Sequence, residues 1–154
     1  MLTWNEEKVI SVNIEKVWEL FSEENLQRIM PNVVEHTPIE KKEGIVGSKH
    51  RQSYKEGRRV ETYIVETLGY ENTESKKHLR IGFTLGKAFE IEAAFNLIKL
   101  DETSTRFIYT GHNKGINFLG KVMLKISGDK NNNIVVQDFM DKVEEEAMKE
   151  STSV

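Results

Sequence analysis

The sequence has no cysteine, two prolines and four histidines in 154 residues, and each scarcity removes a class of chemistry. Without cysteine there is no disulfide, no thiolate metal site and no cysteine nucleophile, and the composition fits a reducing compartment. No apolar run approaches the roughly 18 residues that a membrane span needs, so stable membrane insertion is not expected. A basic balance is missing as well. Against 22 Lys and Arg stand 25 Asp and Glu, a formal charge of -3, and neutralising nucleic-acid phosphates takes a basic face, so no nucleic-acid partner is expected. The opening residues Met1-Leu2-Thr3-Trp4-Asn5-Glu6-Glu7 carry neither a basic end nor an apolar segment. No secretory signal is read there, and a cytoplasmic location is the expectation. His36, His50, His78 and His112 include no pair at helical ligand spacing and no His-Glu-x-x-His, so neither a metal nor a cofactor is expected.

What remains is an ordinary globular composition, 38% apolar and 31% charged, long enough for one domain with a sizeable core. The reading is a single domain over residues 1–150 and a frayed tail over 151–154. Residues 115–150 form a long amphipathic helix. Phe118, Leu119, Val122, Met123 and Ile126 recur at steps of three and four, and Val135, Val136, Phe139, Met140, Val143 and Ala147 continue the stripe. Gly128 and the run Asn131-Asn132-Asn133 are expected to kink or interrupt it. Glu144, Glu145 and Glu146 read as its wet face.

Ahead of that helix come strand-like segments with no helix between most of them. Residues 8–12 make the first. Asn13 then suits a helix N-cap, and Ile14, Val17, Trp18 and Phe21 fall on one face of a short helix. Ser22 is expected to cap a second turn holding Leu26, Ile29 and Met30, which Pro31 ends. In the extended segment 33–42, Pro38 cannot donate to a ladder, which places that strand at a sheet edge. Alternation over 48–55 sends Lys49, Arg51, Ser53 and Lys55 to water and leaves His50, Gln52 and Tyr54 facing inward. The faces of 59–68 are too alike to assign, with Val60, Thr62 and Ile64 on one and Tyr63 and Val65 on the other. Leu79, Ile81, Phe83 and Leu85, then Phe89, Ile91, Ala93, Phe95 and Leu97, alternate cleanly on either side of a Gly86-Lys87 turn, and Phe107 and Tyr109 continue their inner face. The fold class is α+β: an antiparallel sheet curling round one long helix.

The run Val12-Asn13-Ile14-Glu15-Lys16-Val17-Trp18-Glu19-Leu20-Phe21, followed by Asn25-Leu26 and Met30-Pro31-Asn32-Val33-Val34-Glu35, resembles the START-like (SRPBCC) superfamily. Within it the likeness is to the polyketide cyclase/dehydrase and lipid-transport family. The resemblance implies a helix-grip fold: seven antiparallel strands wrapped on a long C-terminal helix, two short helices between strands 1 and 2, and a hydrophobic cavity between sheet and helix. The family usually has a Trp just before the Pro, where this chain has Ile29-Met30. It shares no catalytic set that carries over to this chain.

Tyr54, Tyr63 and Tyr109 are polar tips that would enter a cavity walled by Phe83, Phe95, Phe107, Met123 and Phe139, with His50 and Gln52 beside them. Apolar walls with few hydrogen-bonding groups suit a lipid-like or polycyclic molecule, although the same residues would also pack together with no cavity at all. The first functional expectation is therefore binding of a small hydrophobic ligand. The alternatives are a cyclase or dehydratase in which His50, Tyr54 or Tyr109 moves a proton, and a protein-partner module of the chaperone-activator kind. Two weaker motifs read blandly. Gly115-Ile116-Asn117-Phe118-Leu119-Gly120-Lys121 imitates a phosphate loop, but Val122 stands where a Ser or Thr is wanted, so it reads as a turn into a helix. Glu61, Glu66, Glu90 and Glu92 read as a solvated sheet face.

Overall fold

The computed structural model describes residues 1–151, with side chains throughout except at 118, 119 and 124–129. In chain order the elements are β1 (Leu2–Ile10), α1 (Ile14–Glu19), α2 (Leu26–Ile29), β2 (Val33–Glu40), β3 (Lys49–Glu56), β4 (Arg59–Asn72), β5 (Lys76–Leu85), β6 (Phe89–Asp101), β7 (Ser104–Gly115) and α3 (Phe118–Ser151). Seven strands make one antiparallel, curved sheet in the order β1-β7-β6-β5-β4-β3-β2. Its concave side faces α3, which lies across β1 and β7 and touches α1 and α2. This is the helix-grip arrangement.

Local chemistry explains the joints. Asn13 caps α1, its Oδ1 accepting from the Glu15 N–H at 2.9 Å, which pairs a donor the first turn leaves free. Ser22 does not cap α2 as expected. Its hydroxyl instead donates to the Glu19 carbonyl at 2.7 Å and helps close the end of α1, while Asn25 precedes α2 without a side-chain cap. Pro38 sits on edge strand β2, where its missing N–H costs no ladder bond. Between β7 and α3, Asn117 performs the cap: its Oδ1 accepts from Gly120 N at 2.7 Å and its Nδ2 donates to the Lys87 carbonyl at 2.9 Å. Gly120 presses on the Ala88 carbonyl so closely that a Cβ would collide with it. The run that imitates a phosphate loop is thus a helix start buttoned to the β5–β6 turn.

Residues 118–151 form one helix of 34 residues, so Gly128 and the Asn131–133 run do not interrupt it. Its C-terminal half buries Val136, Met140, Val143 and Ala147 against Ile10, Val12, Ile14, Val17, Leu20, Leu97 and Phe107. Each large side chain fully removed from water contributes about 1.5–3 kcal/mol. Val135, expected inside, is 61% exposed, because the helix phase set by Val136 and Met140 turns it outward. Phe118, Leu119 and Ile126 of the expected stripe lie outside the described side chains. Ser151 is the last helical residue, and the rest of the expected frayed tail, 152–154, lies outside the described residues.

Glu146 overturns another expectation. It is buried at 6% exposure, not on a wet face, and binds Arg28 of α2 at 3.1 Å and Lys149 at 2.7 Å. Arg28 also reaches Glu150 at 2.6 Å, so α2 is tied to α3 by charge-assisted hydrogen bonds. On the opposite side Lys8, on the inner face of β1, bonds Asp141 at 2.9 Å and Glu144 at 3.0 Å.

Candidate aromatic and polar site on the inner face

The register of β6 on β7 places Phe95 opposite Tyr109 and Leu97 opposite Phe107, all on the face toward α3. Their rings meet Phe139 of α3: Tyr109 at 4.9 Å, Phe95 at 5.7 Å and Phe107 at 6.4 Å between centroids. Phe95 and Tyr109 stack at 5.3 Å, and Phe21, from the stretch after α1, covers Phe95 at 5.1 Å. Separations of this kind suit tilted and offset aromatic packing. The Tyr109 hydroxyl has no hydrogen-bond partner among the described residues. Burial holds this phenol well above its usual range, so it stays protonated. An apolar wall with one free hydroxyl is the result.

Across the sheet, a polar chain runs from the rim inward. Glu23, between α1 and α2, meets His50 Nε2 at 2.7 Å, and the His50 ring stacks on His36 at 4.4 Å. His36 Nδ1 lies 2.7 Å from Gln52 Oε1, and Gln52 Nε2 donates to the Tyr63 hydroxyl at 2.9 Å. Because the Gln52 oxygen can only accept, the proton of the first bond sits on His36 Nδ1. Burial lowers the His36 pKa and raises that of Tyr63, while the hydrogen bond from His50 lowers that of Glu23. Tyr63 then stacks on Phe83 at 4.5 Å. The unassigned faces of β4 are settled by this chain: Tyr63, Val65 and Thr67 are buried, and Val60 and Ile64 are exposed. Leu68 is the extra residue of a bulge, after which Tyr70 takes the inner side and packs on Trp18.

Of the sequence-predicted site residues, Phe95, Phe107, Tyr109 and Phe139 form the first group, and His50, Gln52, Tyr63 and Phe83 the second. Two stand elsewhere. Tyr54 is on the Gln52 side of β3 but is 36% exposed, its hydroxyl accepting from Asn32 Nδ2 at 3.3 Å, so it marks the rim rather than the interior. Met123 is 46% exposed and is not among the side chains packed on the core. Ser53, expected in water, is buried and bonded to Thr62 at 2.8 Å. Sequence reasoning missed His36 and Glu23, which meet His50 only through the β2–β3 register and the path of the α1–α2 connection. It also missed Trp4, whose ring lies 5.6 Å from Tyr109.

Glu66, Glu90 and Glu92 stand on the convex face, where Arg80 binds Glu92 at 2.8 Å and His112 lies 3.8 Å from it, whereas Glu61, expected with them, shares the Tyr63 side of β4 and pairs with Tyr54 near the rim. A depression of about 510 Å³ opens there over Gly82, edged by Ile64, Glu66, Leu68 and Glu90. Phe83 and Ile91 of the strands beneath it also contribute to its lining. Among the described residues no three His, Asp or Glu side chains gather as a metal site, and no helix is long and apolar enough to cross a membrane.

No protein-family model and no curated protein matches the sequence. Solved structures do match the fold. The Zhui aromatase/cyclase from Streptomyces sp. R1128 superposes with a TM-score of 0.74 at 12% identity, over 99% of this chain and 96% of that one. Norcoclaurine synthase from Thalictrum flavum gives 0.67 at 9% identity, over 98% and 96%. A conserved protein from Geobacillus kaustophilus gives 0.68 at 17% identity, over 96% of each chain.

Proposed function

From a chain with the START-like helix-grip fold, we propose a protein that binds a small hydrophobic ligand, lipid-like or polycyclic, between the concave sheet face and α3. The observation that carries this reading is the Tyr109 hydroxyl, unpartnered among the described residues and set in a wall of Phe95, Phe107 and Phe139. Apolar area supplies affinity at about 25 cal/mol per Å², and a single phenol orients the guest. Entry runs between the α1–α2 connection and β3, where the Glu23–His50 pair and Tyr54 form the rim. Residues 1–150 act as the one binding unit, and the absence of cysteine supports a cytoplasmic setting.

The test is to incubate the purified protein with a cellular lipid extract and identify by native mass spectrometry what stays bound. A stoichiometric hydrophobic guest, lost in Tyr109→Phe or Phe139→Ala, is the expected result. A protein that stays empty across lipid classes overturns the reading.

A second reading rests on the Glu23–His50 contact of 2.7 Å, a carboxylate and imidazole at hydrogen-bond distance as in general acid–base pairs. Two of the matched structures bear enzyme names, an aromatase/cyclase and a synthase. If a guest is found and is converted, His50→Ala should abolish turnover while leaving binding in place. Unchanged turnover removes this reading.

A further inference from the structure

Two side-chain polar atoms of the inner face are fully closed to water and have no hydrogen-bond partner among the described residues: Trp4 Nε1, a donor, and Asn113 Oδ1, an acceptor. The backbone puts them side by side. Trp4 pairs with Gly111 across β1 and β7, and Asn113 is the next residue of β7 on that face, between Leu2 and Ile91 in register. Gly111 has no side chain, so the indole lies over it, and a Cβ there would strike ring carbons that include Cε2, the neighbour of Nε1. The donor therefore sits above Gly111 with Tyr109 on one side along β7 and Asn113 on the other. Trp4 and Asn113 do not bond each other.

A buried donor and a buried acceptor left unpaired each cost the full desolvation of the group. Native interiors rarely keep such atoms without a use. Their chemistry defines the guest. One group that both accepts from an N–H and donates to a carbonyl oxygen is a hydroxyl. A carboxylate or phenolate would meet the Asn113 oxygen as a like partner, and Glu6, on the same face of β1 opposite Tyr109, is acidic too. A cation would face the indole N–H. Lys8, the cation on that face, is held by Asp141 and Glu144.

We propose that Trp4 and Asn113 form a hydrogen-bonding subsite that takes the neutral hydroxyl group of an otherwise apolar, ring-shaped ligand. This rests on the binding reading above and narrows it, because it selects hydroxyl-bearing rings over fatty acids and plain hydrocarbons. Both atoms are closed to water in this structure, so loading requires the groups that cover them to move, the indole over Gly111 among them.

The experiment titrates the full chain with naphthalene, naphthol and naphthoate by calorimetry, in wild type, Trp4→Phe and Asn113→Leu. Wild type is expected to bind naphthol about tenfold or more tighter than naphthalene, the worth of one well-placed buried hydrogen bond, and naphthoate most weakly. Each variant should lose the preference for naphthol and keep its affinity for naphthalene. Without ligand, Asn113→Leu should melt at a higher temperature than wild type, since it removes an unpaired acceptor from an apolar corner. Equal binding of naphthol and naphthalene by wild type overturns the subsite and leaves the cavity reading standing. Binding of none of the three overturns both. The wild-type comparison holds even if a variant fails to fold.

Discussion

The two halves of the inner face are held together in different ways. Under the C-terminal half of α3, Ile10, Val17, Leu97, Phe107, Met140 and Val143 are at 2% exposure or less, and the few polar groups there are ion pairs, the buried Glu146 among them, and the Thr105 hydroxyl, which donates to the Val12 carbonyl at 2.7 Å. At the β2–β3–β4 side, where α3 makes no comparable contact, the residues that close the structure are Glu23, His50, His36, Gln52 and Tyr63, joined by hydrogen bonds and one ring stack. Burial of hydrocarbon is non-directional and tolerates small shifts, whereas a chain of hydrogen bonds fails when one distance is lost. The first half is suited to fixing the frame and the second to opening.

The sharpest way to break that contrast is truncation on each side. Phe107→Ala should cost about 3–5 kcal/mol and Phe83→Ala, half-buried on the other side, about half of that or less, both read from urea unfolding. Equal losses would mean that the two halves share one core. Next in size, Glu146→Leu should lower stability by about 1–3 kcal/mol, because it leaves Arg28 with Glu150 alone; a neutral result would assign the α2–α3 joint to packing rather than charge.

Acid should find the hydrogen-bonded side first. Burial holds the His36 imidazole below its ordinary value of 6.5, with the Gln52 bond opposing. As pH falls, the unfolded chain takes up this proton before the folded one, so the neutral ring's contribution is whole above about pH 6.5 and is lost as pH falls through the folded value. His36→Phe, which keeps the stack, should flatten the fall in urea midpoint between about pH 7 and pH 5. A slope unchanged in the variant would move the titration elsewhere. The smallest effect is expected on α3. Val135→Ala should stay within about 0.5 kcal/mol while its neighbour Val136→Ala costs about 1 kcal/mol or more, and a reversed order would mean the helix phase is wrong.

Much of the frame was legible. The alternation of β5, β6 and β7 gave the aromatic wall, and Pro38 marked the edge. What escaped detection depended on pairings distant in sequence. β1 was read from residue 8 rather than residue 2 because Glu6 and Lys8 occupy its inner face, and only Asp141 and Glu144, more than a hundred residues away, make a lysine acceptable there. That lost Trp4 from the site. Glu146 looked wet because its partner Arg28 is in another helix. The faces of β4 stayed ambiguous because each carries apolar residues and the bulge at Leu68 reverses the alternation partway. Tyr54 kept its side of β3 but not its depth, which alternation does not encode.

The pairing of β1 with β7 also governs how the molecule is made. Leu2 lies opposite Asn113 and Ile10 opposite Thr105, so β1, translated before the other six strands of its sheet, meets its neighbour β7 only after more than ninety further residues have been made. Closing so long a loop is slow. Until then the edge of β1 is an unpaired ladder, and nascent chains of this protein are natural clients for whatever shields such edges during synthesis.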